Sequence, residues 1–319
     1  MRLSRTSLRL IAGAAALFGV LLTSCSGGDA PTATTSGPSG RTDCVATGIA
    51  SHRGLQYLPA PAGVSPRSLQ LDISTPQFDS GCAAPPVLLY VHGTNFRNGD
   101  ASVAAGRVMG QLANDHGWGF AIMNYRLVGD AADGGLSNSY PEQLQDVLAA
   151  VQWLTAHGGE NGVDGSRVAL MGPASGGFLT AQAAVGDPKV TTDQLAAVRC
   201  AITVDTPGYD LSVVAAGSEG WKDWVQGGFP DRATWPLASP IDRAITPTKP
   251  RSWLLVVPES TWYLANAQEF ARNVGAGGGI ADIVTYTNDS EDIGSKLGRD
   301  GENVVTPAIV DMLTKCFKA

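Results

Sequence analysis

From about Ser68 onward, short apolar runs alternate with longer stretches whose apolar residues recur every three or four positions. The short runs are residues 86–92, 119–125, 167–171, 200–204, 253–257 and 281–286. A run with little polar alternation suits a strand covered on both faces, the condition of a strand inside a parallel sheet. Residues 68–73 alternate apolar and polar, and predict a half-covered strand. Between these runs, residues 102–114, 141–154, 177–185, 265–274 and 306–317 predict helices. In the second of them Leu144, Val147, Leu148, Val151 and Leu154 share one side. Pro141 falls near its start, where the missing N–H is tolerated. Such alternation builds an α/β fold, a doubly wound, mostly parallel sheet between helix layers. With 319 residues, 44% hydrophobic, the chain can bury one sizeable core. No internal repeat or second globular domain is visible.

The first segment reads as a signal rather than as fold. Arg2, Arg5 and Arg9 precede an apolar stretch, residues 10–22, too short to span a bilayer comfortably. It ends in Leu22-Thr23-Ser24-Cys25, which resembles a bacterial lipobox with Cys25 as the lipidated residue. The expected organisation is a lipoprotein signal peptide at 1–24, a Ser/Gly/Thr/Pro-rich flexible tether at 25–42, and one α/β domain at 43–319. The protein is expected on the cell surface, lipid-anchored to the outer face of the cytoplasmic membrane. Cleavage before Cys25 removes three arginines and no acid, taking the net charge from −7 to −10. That charge argues against nucleic acid and against a basic grip on anionic lipid, so the expected membrane link is covalent.

Cys44, Cys82, Cys200 and Cys316 remain, an even number in an exported chain, which suggests disulfides. Of the three pairings open to them, Cys44 with Cys82 and Cys200 with Cys316 is expected. Their spacing does not suit zinc, and no cofactor or metal is expected.

Chemistry concentrates around Met171-Gly-Pro-Ala174-Ser175-Gly176-Gly177, which follows an apolar run and opens a helix. A strand, a tight glycine-flanked turn and a helix form the setting of a nucleophile elbow, Gly-x-Ser-x-Gly. Here the attacking position holds Ala174. Other pieces stand in order around it: Val87-Leu-Leu-Tyr-Val-His92-Gly93, Asn124-Tyr125-Arg126-Leu127, the helix at 141–154, and Ala238-Ser239-Pro240-Ile241 before the strand at 254–257. The ordered set resembles the small esterases and acyl hydrolases of the α/β-hydrolase superfamily, near the hormone-sensitive-lipase group. The resemblance covers residues 68–317 and implies an α/β-hydrolase fold with a short lid insertion at about 206–240.

It also implies a triad in the order Ser, acid, His, in which His activates the serine and the acid orients the His. The three slots fall on Ala174, Thr261 and Ser290. The four histidines, His52, His92, His116 and His157, all precede the elbow, so no base follows it. Ser175 would bring Pro173 into the tight turn if it were the nucleophile, and is expected instead to cap the helix. His92 is expected to be structural, and Thr94-Asn95 replace the usual glycines of the oxyanion strand. His116 and His157 are expected at helix ends. Glu259, Glu291 and Asp292, on the loops that normally carry acid and base, are candidate acid–base groups. Their plainer role is solvated loop charge. The candidate ligand pocket is His92, Gly93, Thr94, Ala174, Ser175, Trp221 and Trp224.

The leading expectation is a non-hydrolytic pseudo-hydrolase, tethered through Cys25, that binds a small apolar or acyl ligand or a protein. The alternatives are an enzyme of acid–base chemistry (a lyase, cyclase or isomerase) in the same pocket, and a residual carboxylic-ester hydrolase. Fold alone does not choose among them.

Overall fold

The computed structural model describes residues 44–129, 138–186, 195–247, 250–287 and 293–318. Cys25, Ser290, Glu291 and Asp292 lie outside these residues. Eight strands form one sheet: β1 (Ala46–Gln56), β2 (Gln70–Phe78), β3 (Pro86–Val91), β4 (Gly119–Met123), β5 (Asp164–Pro173), β6 (Val198–Val204), β7 (Ser252–Pro258) and β8 (Ile280–Tyr286). Their order is β1-β2-β4-β3-β5-β6-β7-β8. β1 and β2 pair antiparallel, β2 pairs antiparallel with β4, and all later pairings are parallel.

Two-residue alternation divides the central strands between the two sheet faces. Val87, Leu89 and Val91 of β3 and Val168 and Leu170 of β5 enter one core. Leu88, Tyr90, Ala169 and Met171 enter the other. The first face is covered by α2 (Glu142–His157), α3 (Ala174–Val185) and α7 (Thr261–Ala276). The second is covered by α1 (Ala104–Asp115), the short α8 (Ile293–Lys296) and α9 (Val305–Lys318). Both faces are dry, which is why the sequence shows near-continuous apolar runs.

The segment expected as a short lid holds α4 (Leu211–Gly217), α5 (Glu219–Gly228) and α6 (Trp235–Ala238), all between β6 and β7. It is bound to the body. Trp224 and Phe229 pack on Phe96 at ring-centroid distances of 4.8 and 5.1 Å, and Trp235 donates to the Phe229 carbonyl. Disulfides join Cys44 to Cys82 and Cys200 to Cys316. Among the described residues no helix is long and apolar enough to cross a membrane, and no His/Cys/Asp/Glu cluster could hold a metal ion.

Candidate functional site

β5 ends at Pro173, and α3 begins at once with Ala174. Ala174 has φ +48°, a left-handed conformation that costs a residue with a Cβ of order 1–3 kcal/mol. The turn is closed by backbone contact. A Cβ on Gly176 would lie 2.1 Å from the Val91 carbonyl, and one on Gly172 would lie 2.4 Å from the Gly176 carbonyl oxygen. The chain therefore keeps the strained geometry that lifts a nucleophile out of a sheet, but raises a methyl group there. Ala174 is half-buried, with Gly93 packed against Pro173 beside it.

Ser175 is neither exposed nor the helix cap. The N-cap of α3 is Pro173, and no side chain caps it. Ser175 is fully buried, and its Oγ accepts the Phe96 N–H at 3.3 Å. It also hydrogen-bonds to the Tyr125 hydroxyl, which donates to the His92 carbonyl at 2.9 Å. The expectation that Ser175 lines the ligand pocket is corrected by that burial, because this oxygen fastens the loop after β3 to the elbow helix.

His92 is 1% exposed and stacks on Tyr125 at 4.4 Å. Its Nδ1 donates to the Gly93 carbonyl at 2.9 Å, which leaves Nε2 as a buried acceptor without a partner. Burial pushes its pKa below the ordinary value, with the Gly93 hydrogen bond opposing. His92 is thus a neutral residue beneath the site, not a wall of an open pocket. Thr94, Asn95 and Phe96 follow at φ +89°, +60° and +63°. Their backbone takes left-handed conformations without glycine. Gln143 fixes the loop by donating to the Phe96 and Arg126 carbonyls, and Val128 N–H also donates to the Phe96 carbonyl.

Thr261 opens α7 at the carboxyl end of β7, two strands from Ala174, and is exposed. Glu259 is exposed too and accepts from Thr287 Oγ1 at 3.3 Å. It lines a cavity of about 710 Å³ with Tyr286, Lys296 and Arg299, whose walls include no elbow residue. Glu259, a candidate acid–base group, thus borders the β8 side of the sheet. The sequence reading missed Asp205. This residue follows β6 at φ +52°, and its neighbour Thr206 donates to the Ala174 carbonyl at 3.3 Å. Burial and the Asp205 charge raise the pKa of Tyr263. The available signal was a carboxylate placed directly after the apolar run 200–204.

An open cleft of about 480 Å³ lies between the loop after β3 and α5. Asn95, Arg97 and Asn98 form one wall, and Trp221, Asp223 and Trp224 the other. Trp221 is half-buried and stacks on Trp262 at 5.8 Å and 12°. Trp224 is 8% exposed and belongs mostly to the core. Of the seven candidate pocket residues, the two tryptophans line this cleft, whereas His92, Gly93, Thr94, Ala174 and Ser175 do not.

The family model BD-FAE matches residues 71–206. Esterase LipI of Mycobacterium tuberculosis is 31% identical over 103 residues, covering 31% of this chain and 28% of that protein. Esterase LipC of the same organism is 28% identical over 151 residues, covering 46% and 33%. The matched stretch thus spans about a third or less of these relatives. Among solved structures, a thermostable esterase from Pseudomonas putida ECU1011 superposes with TM-score 0.63 at 20% identity, covering 89% of this chain and 86% of that one. Esterase B from Lactobacillus rhamnosis, inhibited by a tributyrin phosphonate, superposes with TM-score 0.62 at 16% identity, covering 88% and 89%.

Proposed function

From the premise that this chain has the α/β-hydrolase fold of the esterase group, we propose that it is a non-hydrolytic member, binding a small apolar or acyl ligand rather than cleaving an ester. One observation carries the reading: the elbow turn is kept at full strain with Ala174 at its apex. A methyl has no lone pair, and neighbouring Ser175 is sequestered by Phe96 and Tyr125. Three of the four histidines lie away from the elbow: His52 on β1, His116 at the end of α1, His157 at the end of α2. The fourth is the buried, neutral His92. A serine or water at the apex would find no imidazole to take its proton. The cleft beside α5, with the open face of Trp221, is the place for the ligand, and Cys25 would hold the chain at the cell surface.

The test is direct. Purified protein should show no labelling by a fluorophosphonate probe and no turnover of short-chain p-nitrophenyl esters above background. Titration with short-chain fatty acids should quench tryptophan emission in the wild type and not in Trp221→Ala. Ester turnover at ordinary enzyme rates would overturn the reading.

The acid–base alternative has one structural observation in its favour, the strained Asp205 beside the elbow. A non-hydrolytic turnover abolished by Asp205→Asn, with Glu259→Gln unaffected, would replace the first reading with this one.

A further inference from the structure

The elbow stands at the carboxyl ends of the parallel strands. At their opposite ends, the starts of β6, β7 and β8 surround a hollow of about 490 Å³. Arg199, Arg251 and Lys315 line it, and Asp282 is the one carboxylate in its lining. Lys315 pairs with Asp311 on its own helix. The guanidinium groups of Arg199 and Arg251 are exposed and make no ion pair with any described residue. At the rim stands Ile280, 69% exposed. A chain of net charge −7 thus carries a local patch of two arginines, without an ion pair among the described residues, beside a bare aliphatic side chain. Because screening limits the reach of distant surface charge to about 8–10 Å, the local balance governs what such a patch attracts.

The described part of the domain begins at Cys44. Cys44, the first described residue, is bonded to Cys82 with their Cα atoms 6.0 Å apart. Two residues on, the Ala84 carbonyl accepts from Arg167 at 3.1 Å, and the same guanidinium donates to the Phe317 carbonyl at 3.3 Å. The residue before Phe317, Cys316, lines the hollow. Covalent and hydrogen bonds thus connect Cys44, through Arg167, to the end of α9 that borders the hollow.

We propose that this hollow docks on the headgroups of anionic phospholipid, holding the elbow and its cleft away from the bilayer. The proposal rests on the reading that the N-terminal segment tethers the chain to a membrane. Arginine suits the role because its planar fork takes phosphate oxygens in pairs. Ile280 is placed to enter the headgroup–acyl boundary. The overall acidity that argues against an electrostatic grip is a property of the whole chain, whereas Arg199, Arg251 and Lys315 outnumber Asp282 in the lining of this hollow.

The experiment uses the full-length protein reconstituted in vesicles of phosphatidylcholine, alone or mixed equally with phosphatidylglycerol. Amide exchange is read by mass spectrometry. Peptides covering residues 195–200, 250–253, 278–282 and 312–318 should exchange more slowly on the mixed vesicles than on phosphatidylcholine. High salt should remove the difference. Each basic side chain near an anionic surface shifts the docked population about fivefold, so the double variant Arg199→Glu/Arg251→Glu should lose the protection. The milder Arg199→Gln/Arg251→Gln should lose part of it. Equal exchange on the two vesicles, with the protein bound to both, overturns the docking and leaves the tether standing. Failure to associate with either vesicle overturns both. The same protection produced by inorganic phosphate without vesicles overturns the membrane assignment in favour of a soluble anion.

Discussion

Ala174 and Ser175 are adjacent, and their environments differ in a way that decides the chemistry. Ala174 is raised at φ +48° toward the outside, while Ser175 is fully buried under the loop after β3. Ala174→Ser would return an oxygen to the apex but no base to activate it. Loss of a triad member costs roughly 10⁴-fold or more in rate, and the members act as one unit. The variant should therefore stay at background in ester turnover and probe labelling. Ser175→Ala should act on stability instead, because it strands the Phe96 N–H in a dry site, at a cost of about 1–3 kcal/mol in urea unfolding. A hydrolytic activity abolished by that change would contradict the proposed function. His92 gives a further expectation. Burial disfavours its imidazolium, so its folded pKa lies below the unfolded value near 6.5. Between the two values the unfolded chain binds a proton that the folded chain refuses. The His92 contribution is then fully present above the unfolded pKa and is lost as pH falls through the depressed folded one. The His92 ring signals in an NMR titration should have their midpoint below the ordinary 6.5. A titration centred there would show that the ring is solvated.

The elements around the elbow are braced by a buried ion pair between the chain after β4 and helix α2. Arg126 donates through Nε and Nη2 to Asp146, at 2.6 to 3.0 Å, and through Nη2 to the Glu142 carbonyl at 3.1 Å. The Arg126 backbone N–H also donates to Asp146 at 2.9 Å. Gln143, on the same helix turn, holds the loop that Ser175 holds from the other side. Asp146→Ala leaves a guanidinium buried without its carboxylate and should cost about 3–5 kcal/mol in urea unfolding. A cost below about 1 kcal/mol would mean that water reaches the site. This brace was visible in sequence only as the familiar spelling of Asn124-Tyr-Arg-Leu127, since nothing in periodicity pairs Arg126 with Asp146. What periodicity could show, it showed well: six apolar runs became β3 to β8, and burial on both faces leaves that signature in the inner strands, whereas edge strand β8 buries only Tyr286. β1 escaped notice because it is an edge strand with eight of its eleven residues exposed and none buried. Helix α3 starts at Ala174 rather than at Gly177, because close backbone contact, not helix propensity, sets its first turn. Asp205 and Glu259 show the limit at the site: a loop's position in the chain does not say which way its carboxylate turns.

For the whole molecule, the disulfides divide the labour of holding the ends. Cys44–Cys82 closes 38 residues and pins the start of the domain to the segment before β3. Cys200–Cys316 closes 116 residues, joining the central strand β6 to the last helix, α9, across the second sheet face. In the chain-entropy account a loop of that length, closed in the unfolded state, stabilises the fold by about 4–5 kcal/mol. Such bonds belong to an oxidising compartment, which agrees with the proposed export and anchoring through Cys25. Removing the longer loop should matter more than removing the shorter one, although the difference is modest because loop entropy grows only with the logarithm of length. The double variant Cys200→Ala/Cys316→Ala should unfold at lower urea than Cys44→Ala/Cys82→Ala, and both below the wild type. Both sulfurs of the longer bridge are buried in the second core, so their removal also leaves a small cavity, which adds to the loss. The decisive control is the reduced wild type, which keeps every atom of the core and loses only the cross-links. If its midpoint matches that of the oxidised protein, the bridges do not constrain the unfolded chain, and the losses in the alanine variants come from packing alone.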